Sequence, residues 1–247
     1  MRELQIPRII AHRGAKANAP ENTLASIRRA HEEGARWVEF DVKLTADGHP
    51  ILIHDETLDR TTDGRGLVRD HTLAEIRRLD AGAWFGSAFA GERVPTLAET
   101  LDLLAALGMG FNLEVKPCPG RERETASVAL EMVRQRWPAA ALVPVISSFS
   151  PESLRAARDT APELPRGYLF DALPIDWVAQ ADAIGCRTVH PGVKHLTQAQ
   201  VDAAKAAGYP LLVWTVNDPA QAAALIAWGV DGVITDAPAR IAAGLER

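Results

Sequence analysis

The sequence predicts an α/β fold, a (β/α)8 TIM barrel with a small cap segment inserted after its second strand. Short apolar runs alternate with alanine-rich segments of helical period, and this alternation occurs eight times. The chain has 247 residues, and a barrel of this type commonly needs about 250. A doubly wound parallel sheet is the structural alternative, because it uses the same alternation.

Each predicted strand is a run of three to eight mainly apolar residues, as expected for strands buried on both faces. The predicted strands are residues 8–11, 37–44, 111–116, 143–148, 167–170, 188–190, 211–216 and 232–235.

The segments between these strands have apolar residues at helical spacing, and several end in glycine, the residue preferred just after a helix. The first follows a Pro20-Glu21-Asn22-Thr23 turn that supplies a capping residue. The predicted helices are residues 22–33, 96–107, 123–137, 151–159, 176–184, 197–207, 219–227 and 238–245, and the terminating glycines are Gly34, Gly108, Gly185, Gly208 and Gly229.

The cap segment, about residues 47–95, interrupts the alternation and is too long for an ordinary connection between barrel units. It starts with the hairpin signal Ala46-Asp47-Gly48, continues with a short strand over residues 50–54, and contains a short helix over 73–79. We expect it to lie over the barrel mouth as part of a single domain spanning residues 1–247. Its hydrophobic core is expected to contain Trp84, Phe85 and Phe89.

Composition narrows the class of protein. The net charge of -5 and the absence of a basic stripe argue against nucleic acid as a partner. No apolar run approaches the roughly 20 residues of a transmembrane helix, so we expect no stable membrane insertion. The N-terminus lacks the features of a signal peptide, and Cys118 and Cys186 have no metal-ligand or redox spacing. We therefore expect a cytoplasmic protein with two free thiols, and any oligomeric state is compatible with the sequence.

Three carboxylates lie near the ends of predicted strands. Residues two apart in a strand point to the same face, so Glu39 and Asp41 project together, and so do Glu114 and Lys116. In a barrel this face points inward, where clustered carboxylates repel unless they are paired or bind a cation. Oxygen-only ligands favour one divalent cation, Mg²⁺ or Ca²⁺, over zinc.

Two histidines and two cations accompany these carboxylates. His12 directly follows the first predicted strand and His54 ends the short strand of the cap segment, and we assign them as general acid and base. Arg13 and Lys116 are expected to bind an anionic substrate, and Gly14 allows the backbone to approach a ligand closely. The other histidines, His31, His49, His71, His190 and His195, are assigned structural or surface roles.

Other residues at strand ends are ambiguous. Phe149 and Trp214 are equally compatible with core packing and with a rim that contacts the substrate. Asp236 precedes the last helix and is expected to be its N-cap.

Taken together, these motifs make the chain similar to the glycerophosphodiester phosphodiesterases, closest to the bacterial cytosolic type. The resemblance covers nearly the whole chain, and its specificity comes from the joint order and spacing of the motifs. They are Ala11-His12-Arg13-Gly14, Pro20-Glu21-Asn22-Thr23, Glu39-Phe40-Asp41-Val42, Ile53-His54-Asp55, Asp59-Arg60-Thr61-Thr62-Asp63-Gly64, Val94-Pro95-Thr96-Leu97, Asn112-Leu113-Glu114-Val115-Lys116, Val213-Trp214-Thr215-Val216-Asn217 and Gly232-Val233-Ile234-Thr235-Asp236-Ala237-Pro238.

The resemblance implies a barrel with an inserted subdomain, a divalent metal on Glu39, Asp41 and Glu114, and acid–base roles for His12 and His54. The implied reaction converts a glycerophosphodiester and water to an alcohol and sn-glycerol 3-phosphate. Our interpretation makes His12 the base and His54 the acid. The nucleophile is either water or the glycerol 2-hydroxyl, which would give a cyclic phosphate first.

Two other functions compete with this interpretation. One is a related barrel enzyme, phospholipase D-like, that acts on lysophospholipids, which the aromatic residues of the cap segment would favour. The other is a non-catalytic barrel that binds metal or phosphodiester, which the presence of both histidines and all three carboxylates argues against.

Overall fold

Eight parallel strands form a barrel in the computed structural model, which describes residues 4–246. The strands are β1 (Ile9–His12), β2 (Trp37–Leu44), β3 (Pro50–Leu52), β4 (Gly110–Val115), β5 (Val145–Ser148), β6 (Arg166–Phe170), β7 (Thr188–Pro191), β8 (Leu212–Val213) and β9 (Gly232–Thr235), of which β3 alone is antiparallel, pairing with β2. Around the sheet the strand order is β7-β6-β5-β4-β2-β1-β9-β8, and parallel bridges from Val189 to Leu211 and from Gly192 to Trp214 join its two ends. This closure confirms the barrel and excludes the doubly wound sheet.

All eight predicted helices are present, together with a short helix in the cap segment. The capping chemistry explains where several begin: Thr23, Thr72, Thr96 and Thr197 each form a capping box with the residue three positions later. The helices are α1 (Leu24–Glu32), α2 (Leu73–Ile76), α3 (Leu97–Leu107), α4 (Glu122–Arg136), α5 (Pro151–Thr160), α6 (Trp177–Ile184), α7 (Gln198–Ala206), α8 (Pro219–Ala227) and α9 (Pro238–Leu245).

Alternation along the strands divides the barrel into two packing regions. Outward-facing residues such as Val38, Phe40 and Val42 belong to the layer between the strands and the helices. Inward-facing apolar residues fill the interior, where Ile10, Trp37, Val145, Leu212 and Ile234 pack together. Because most of these inward-facing residues lie toward the amino ends of their strands, the interior has room for a pocket toward the carboxyl ends.

The cap segment has an aliphatic core, so the predicted aromatic core is wrong. Its buried members are Ile51, Ile53, Leu58, Val68, Ile76, Ala81 and Val94, with Cys118 from the barrel. The Trp84 indole donates a hydrogen bond to the Ala81 carbonyl, and Trp84 is 41% exposed. Its ring meets the Phe85 ring edge to face, and the Phe85 and Phe89 rings also meet edge to face. The three aromatic residues therefore form a separate cluster near the surface.

A bidentate ion pair attaches the cap segment to the barrel. Arg77 donates from its two terminal nitrogens to the Glu99 carboxylate of α3, at 2.9 and 2.8 Å, and also to the Val94 carbonyl at 3.1 Å. The Arg77–Glu99 ion pair thus holds the cap segment where it meets α3.

Both cysteines are buried free thiols, as predicted. Over residues 4–246, no helix is long and apolar enough to cross a membrane.

Candidate active site

A pocket of about 340 Å³ opens at the carboxyl ends of the barrel strands. Strand ends converge there because all eight barrel strands run in the same direction. Asp41, only 1% exposed, lies behind the pocket wall. The other eight predicted site residues line the pocket: His12, Arg13, Glu39, His54, Glu114, Lys116, Phe149 and Trp214.

Glu39, Asp41 and Glu114 converge as their strand positions predict. Asp41 of β2 is in register with Glu114 of β4, and one oxygen from each of the three carboxylates lies within 4.8 Å of the others. Burial and the neighbouring carboxylates raise the pKa of Glu39 well above its usual value and that of Glu114 to about 7. Burial would also raise the pKa of Asp41, but nearby positive charges, chiefly Arg13, hold it below its usual range.

This cluster fits a hard divalent cation. Asp41 Oδ1 is buried, and within residues 4–246 it accepts no hydrogen bond. The three carboxylates offer only oxygen donors, which suit Mg²⁺ or Ca²⁺, and a bound cation would relieve their mutual repulsion.

Asn22 orients Asp41, a role that sequence reasoning missed. Its amide nitrogen donates to Asp41 Oδ2 at 2.9 Å, and its amide oxygen accepts from the Asp41 backbone N–H at 3.2 Å. Asn22 has φ +55°, a left-handed conformation that asparagine tolerates better than most residues. In the Pro20-Glu21-Asn22-Thr23 turn, Thr23 is the predicted capping residue of α1. The side chains of Glu21 and Asn22 instead bind Arg13 and Asp41 of the site.

Asp236 holds His12, so the prediction that it caps the last helix is wrong. The N-cap of α9 is Ala237, with no side-chain cap, whereas Asp236 Oδ1 lies 2.6 Å from His12 Nδ1. Asn217 donates to the other Asp236 oxygen at 2.8 Å. Burial opposes the charge on Asp236, but the His12 hydrogen bond and charge lower its pKa to about 2. An ionised acceptor keeps the proton on Nδ1 and leaves Nε2, 3.9 Å from Glu39, as the basic nitrogen.

A second histidine–aspartate pair lies in the cap segment. His54 Nδ1 is 2.6 Å from Asp55 Oδ1, and Arg60 donates to both Asp55 oxygens. The Arg60 hydrogen bonds hold the pKa of Asp55 below its usual range. As at His12, burial lowers the pKa of His54, so both histidines are neutral near pH 7 with Nε2 unprotonated.

The two predicted anion-binding cations pair with carboxylates at the pocket wall. Arg13 lies 2.7 Å from Glu21 Oε1 and 3.1 Å from Asp41 Oδ2, and its backbone N–H donates to Glu39 at 3.2 Å. Lys116 Nζ donates to Glu114 at 2.8 Å. Burial disfavours the Lys116 charge, but Asp41 and Glu114 outweigh this and raise its pKa. Both cations therefore stay charged beside the carboxylates.

Phe149 and Trp214 form an aromatic wall. Their rings meet edge to face with centroids 5.5 Å apart, and Lys116 Nζ lies 5.5 Å from the Phe149 centroid. The Trp214 indole donates to the backbone carbonyl of His190 at 2.8 Å. His190 itself is fully buried with its ring against Thr188, and burial lowers its pKa to about 3, which fits the structural role predicted for it.

Gly14 supports the site through helix α1. It has φ +82°, and a Cβ at this position would overlap Ser26, whose hydroxyl donates to the Arg13 carbonyl at 2.9 Å. The glycine is therefore needed for close packing against α1, which fixes the backbone of Arg13.

We expect Gly14→Ala to lower the free energy of unfolding by about 2 kcal/mol or more, because left-handed strain adds to the overlap with Ser26. The matched control is Gly34→Ala, at φ +83° with no atom within 4 Å, which should cost only the strain of about 1 kcal/mol. Denaturant unfolding of both variants measures the difference. Equal losses would show that the Ser26 contact contributes nothing.

The comparisons with known proteins agree on one family. The sequence model of the glycerophosphoryl diester phosphodiesterase family matches residues 12–240. A glycerophosphodiester phosphodiesterase from Caldanaerobacter subterraneus subsp. tengcongensis is 41% identical over 234 residues, covering 93% of this chain and 94% of that protein. One from Bacillus subtilis is 37% identical, covering 93% of this chain and 83% of that protein.

Solved structures show the same relationship. A phosphodiesterase from Oleispira antarctica, in complex with the product sn-glycerol-3-phosphate, superposes with a TM-score of 0.96 at 42% identity, covering 98% of each chain. The crystal structure named as a putative glycerophosphoryl diester phosphodiesterase from Silicibacter pomeroyi has a TM-score of 0.85 at 30% identity and covers 99% of this chain and 94% of that one. The barrel, the pocket at its carboxyl end and these similarities together place the chain in the glycerophosphoryl diester phosphodiesterase family, as a phosphoric diester hydrolase.

Proposed function

We propose that this enzyme hydrolyses glycerophosphodiesters to an alcohol and sn-glycerol 3-phosphate, using one divalent cation and two histidines. The observation that carries the proposal is the pair of aspartate-held histidines, His12 and His54, in one pocket with the buried carboxylate cluster. Glu39, Asp41 and Glu114 would hold Mg²⁺ or Ca²⁺.

Charge balance supports the cation. The ion pairs of the site form two groups, which are joined by the hydrogen bond from the Arg13 backbone N–H to Glu39. Together the groups contain six carboxylates and four cationic side chains, which leaves two negative charges in excess when all are ionised and the histidines are neutral. A divalent cation would balance that excess. The carboxylates are Glu21, Glu39, Asp41, Asp55, Glu114 and Asp236, and the cations are Arg13, Lys16, Arg60 and Lys116.

In the reaction, the pocket cations act on the phosphoryl group and the histidines act on the protons. When bound, the divalent cation supplies positive charge that stabilises the negative charge developing on the phosphoryl oxygens. Arg13 and Lys116 add to that stabilisation from the pocket wall.

His12, held by Asp236, removes the proton from the nucleophile as its oxygen forms the new bond to phosphorus. His54, held by Asp55, takes up a proton from solvent at Nε2 before this step and gives that proton to the alcohol oxygen as the old bond breaks. Phe149 and Trp214 contact the carbon atoms of the glycerol or of the alcohol. We further propose that residues 1–247 act as one catalytic domain, with residues 47–95 as the cap of the barrel mouth.

Release of glycerol 3-phosphate from glycerophosphocholine tests the proposed function. EDTA should abolish release. Mg²⁺ and Ca²⁺ are then added back in separate reactions, and the ion that restores release is the metal of the enzyme. Phosphorus NMR of the same reaction shows a cyclic phosphate if the glycerol 2-hydroxyl is the nucleophile. Faster turnover of lysophosphatidylcholine would support the lysophospholipid alternative, and release that is unaffected by EDTA would contradict the metal requirement.

A further inference from the structure

Arg60 of the cap segment contacts the carboxylates that hold His54 and Arg13. It donates to Asp55 from Nε at 2.6 Å and from a terminal nitrogen at 2.9 Å, and it donates to both Glu21 oxygens at 2.8 and 2.9 Å. The Arg60 side chain is 44% exposed, whereas that of Glu21 is only 2% exposed. The guanidinium therefore bridges a surface acid and a buried acid.

The oxygens used by Arg60 are the same ones that hold the site residues. Its Nη2 donates to Asp55 Oδ1, which also binds His54 Nδ1, and to Glu21 Oε1, which also binds Arg13. One nitrogen thus lies between the positions of the proposed acid and of a proposed phosphate-binding cation. The planar guanidinium of Arg60 therefore fixes the orientation of both carboxylates and stabilises their negative charge.

Arg60 also affects how much of the positive charge of Arg13 is neutralised by neighbouring carboxylates. Glu21 and Asp41 both lie against Arg13, so without Arg60 two carboxylates would neutralise one guanidinium. Arg60 compensates Glu21, and the pKa of Glu21 is lowered because the hydrogen bonds and charges of Arg60 and Arg13 outweigh the effect of burial. The positive charge of Arg13 is then left to face the pocket.

We propose that Arg60 is a positioning residue, through which the cap segment orients His54 and leaves Arg13 free to bind the substrate phosphate. The inference rests on the proposed function, because it assigns Arg60 a part in the same reaction. Loss of the Arg60 side chain should therefore change kcat, through the position of His54, more than it changes KM, through Arg13.

Steady-state kinetics of Arg60→Ala, Arg60→Gln and Arg60→Lys with glycerophosphocholine test the proposal. We expect Arg60→Ala and Arg60→Gln to lower kcat on the order of 10-fold to 10²-fold and to raise KM several-fold, since small displacements of catalytic groups have effects of this order. Arg60→Lys keeps the charge but loses the fork, so it should recover part of kcat. In a His54→Ala background, Arg60→Ala should lower kcat little further.

Arg77→Ala is the matched control, because Arg77 makes an equally bidentate contact that holds the cap segment to α3 away from the pocket. It should lower the melting temperature and leave kcat unchanged. An equal kcat loss in Arg77→Ala would mean that loosening of the cap segment explains the effect, and the proposal would be overturned. Full activity of Arg60→Ala with an inactive His54→Ala would also overturn it, whereas full activity of His54→Ala would instead contradict the proposed function.

Discussion

His12→Ala and His54→Ala are each expected to lower kcat by about 10² or more, with the fold unchanged. Each histidine has its Nδ1 bound to an aspartate, at 2.6 Å in both cases, so each presents Nε2 for proton transfer. Truncation to alanine removes that nitrogen, while Asn217 still holds Asp236 and Arg60 still holds Asp55. Activity should fall in both variants because one proton transfer is lost in each.

The leaving group distinguishes the two roles. With the p-nitrophenyl ester of glycerol 3-phosphate, the departing phenolate is stable without a proton, so a missing general acid matters less. We expect His54→Ala to regain much of its lost activity on this ester and His12→Ala to remain slow. Recovery of His12→Ala but not of His54→Ala would instead make His12 the acid and His54 the base.

His49→Ala provides the control for these variants, because the His49 side chain is 53% exposed and pairs with the nearby Asp47. It should have the activity of the unaltered enzyme. Far-ultraviolet circular dichroism and melting temperature establish that His12→Ala and His54→Ala remain folded. Folded variants that retain full activity would remove both histidines from the mechanism.

Asp41→Asn is expected to weaken Mg²⁺ or Ca²⁺ binding by at least about 10²-fold and to abolish most activity. Asn22 donates to Asp41 Oδ2, so an asparagine would place its carbonyl oxygen there and direct its NH2 group toward Glu39 and Glu114. The substitution therefore puts a donor where Asp41 Oδ1, which accepts no hydrogen bond within residues 4–246, would bind the metal, and it also removes a negative charge from the cluster.

Isothermal titration of the folded variant with each metal measures this loss without depending on turnover. Asp202→Asn, an exposed position on α7, is the matched control and should bind metal as the unaltered chain does. Unchanged affinity in Asp41→Asn would exclude Asp41 as a ligand. Loss of metal binding with undiminished hydrolysis would instead separate the metal from the reaction.

Hydrophobic periodicity predicted the fold because local patterns encode it. All eight barrel strands and the eight helices between them are where the sequence places them, within a few residues at the ends. The largest difference is β8, predicted over residues 211–216 and observed as Leu212–Val213. Apolar residues continue beyond Val213, so the sequence predicts a longer strand. On the side of β7, however, this segment pairs only through isolated bridges, from Leu211 to Val189 and from Trp214 to Gly192, and these depend on the position of β7.

The candidate site was predictable where strand register alone places side chains. Glu39, Asp41, Glu114 and Lys116 follow from period-2 alternation on neighbouring parallel strands. The missed residues reach the site through loops: Glu21 and Asn22 precede α1, and their left-handed turn has no distinct pattern in the sequence. The signals available for them were an acid and an amide directly before the capping Thr23 and the place of this turn among the motifs that carry the family resemblance.

The sequence by itself determined the barrel, its long connection after β2, and the set of acids, histidines and cations at the strand ends, because alternation and chain direction are local properties. Only the tertiary structure decided the partners of those groups. Asp236 binds His12 because β9 lies beside β1 across 224 residues of chain, and Arg60 reaches Glu21 because the cap segment folds back onto the turn before α1. Such pairings depend on distances between segments far apart in the chain, which residue types and spacing do not encode.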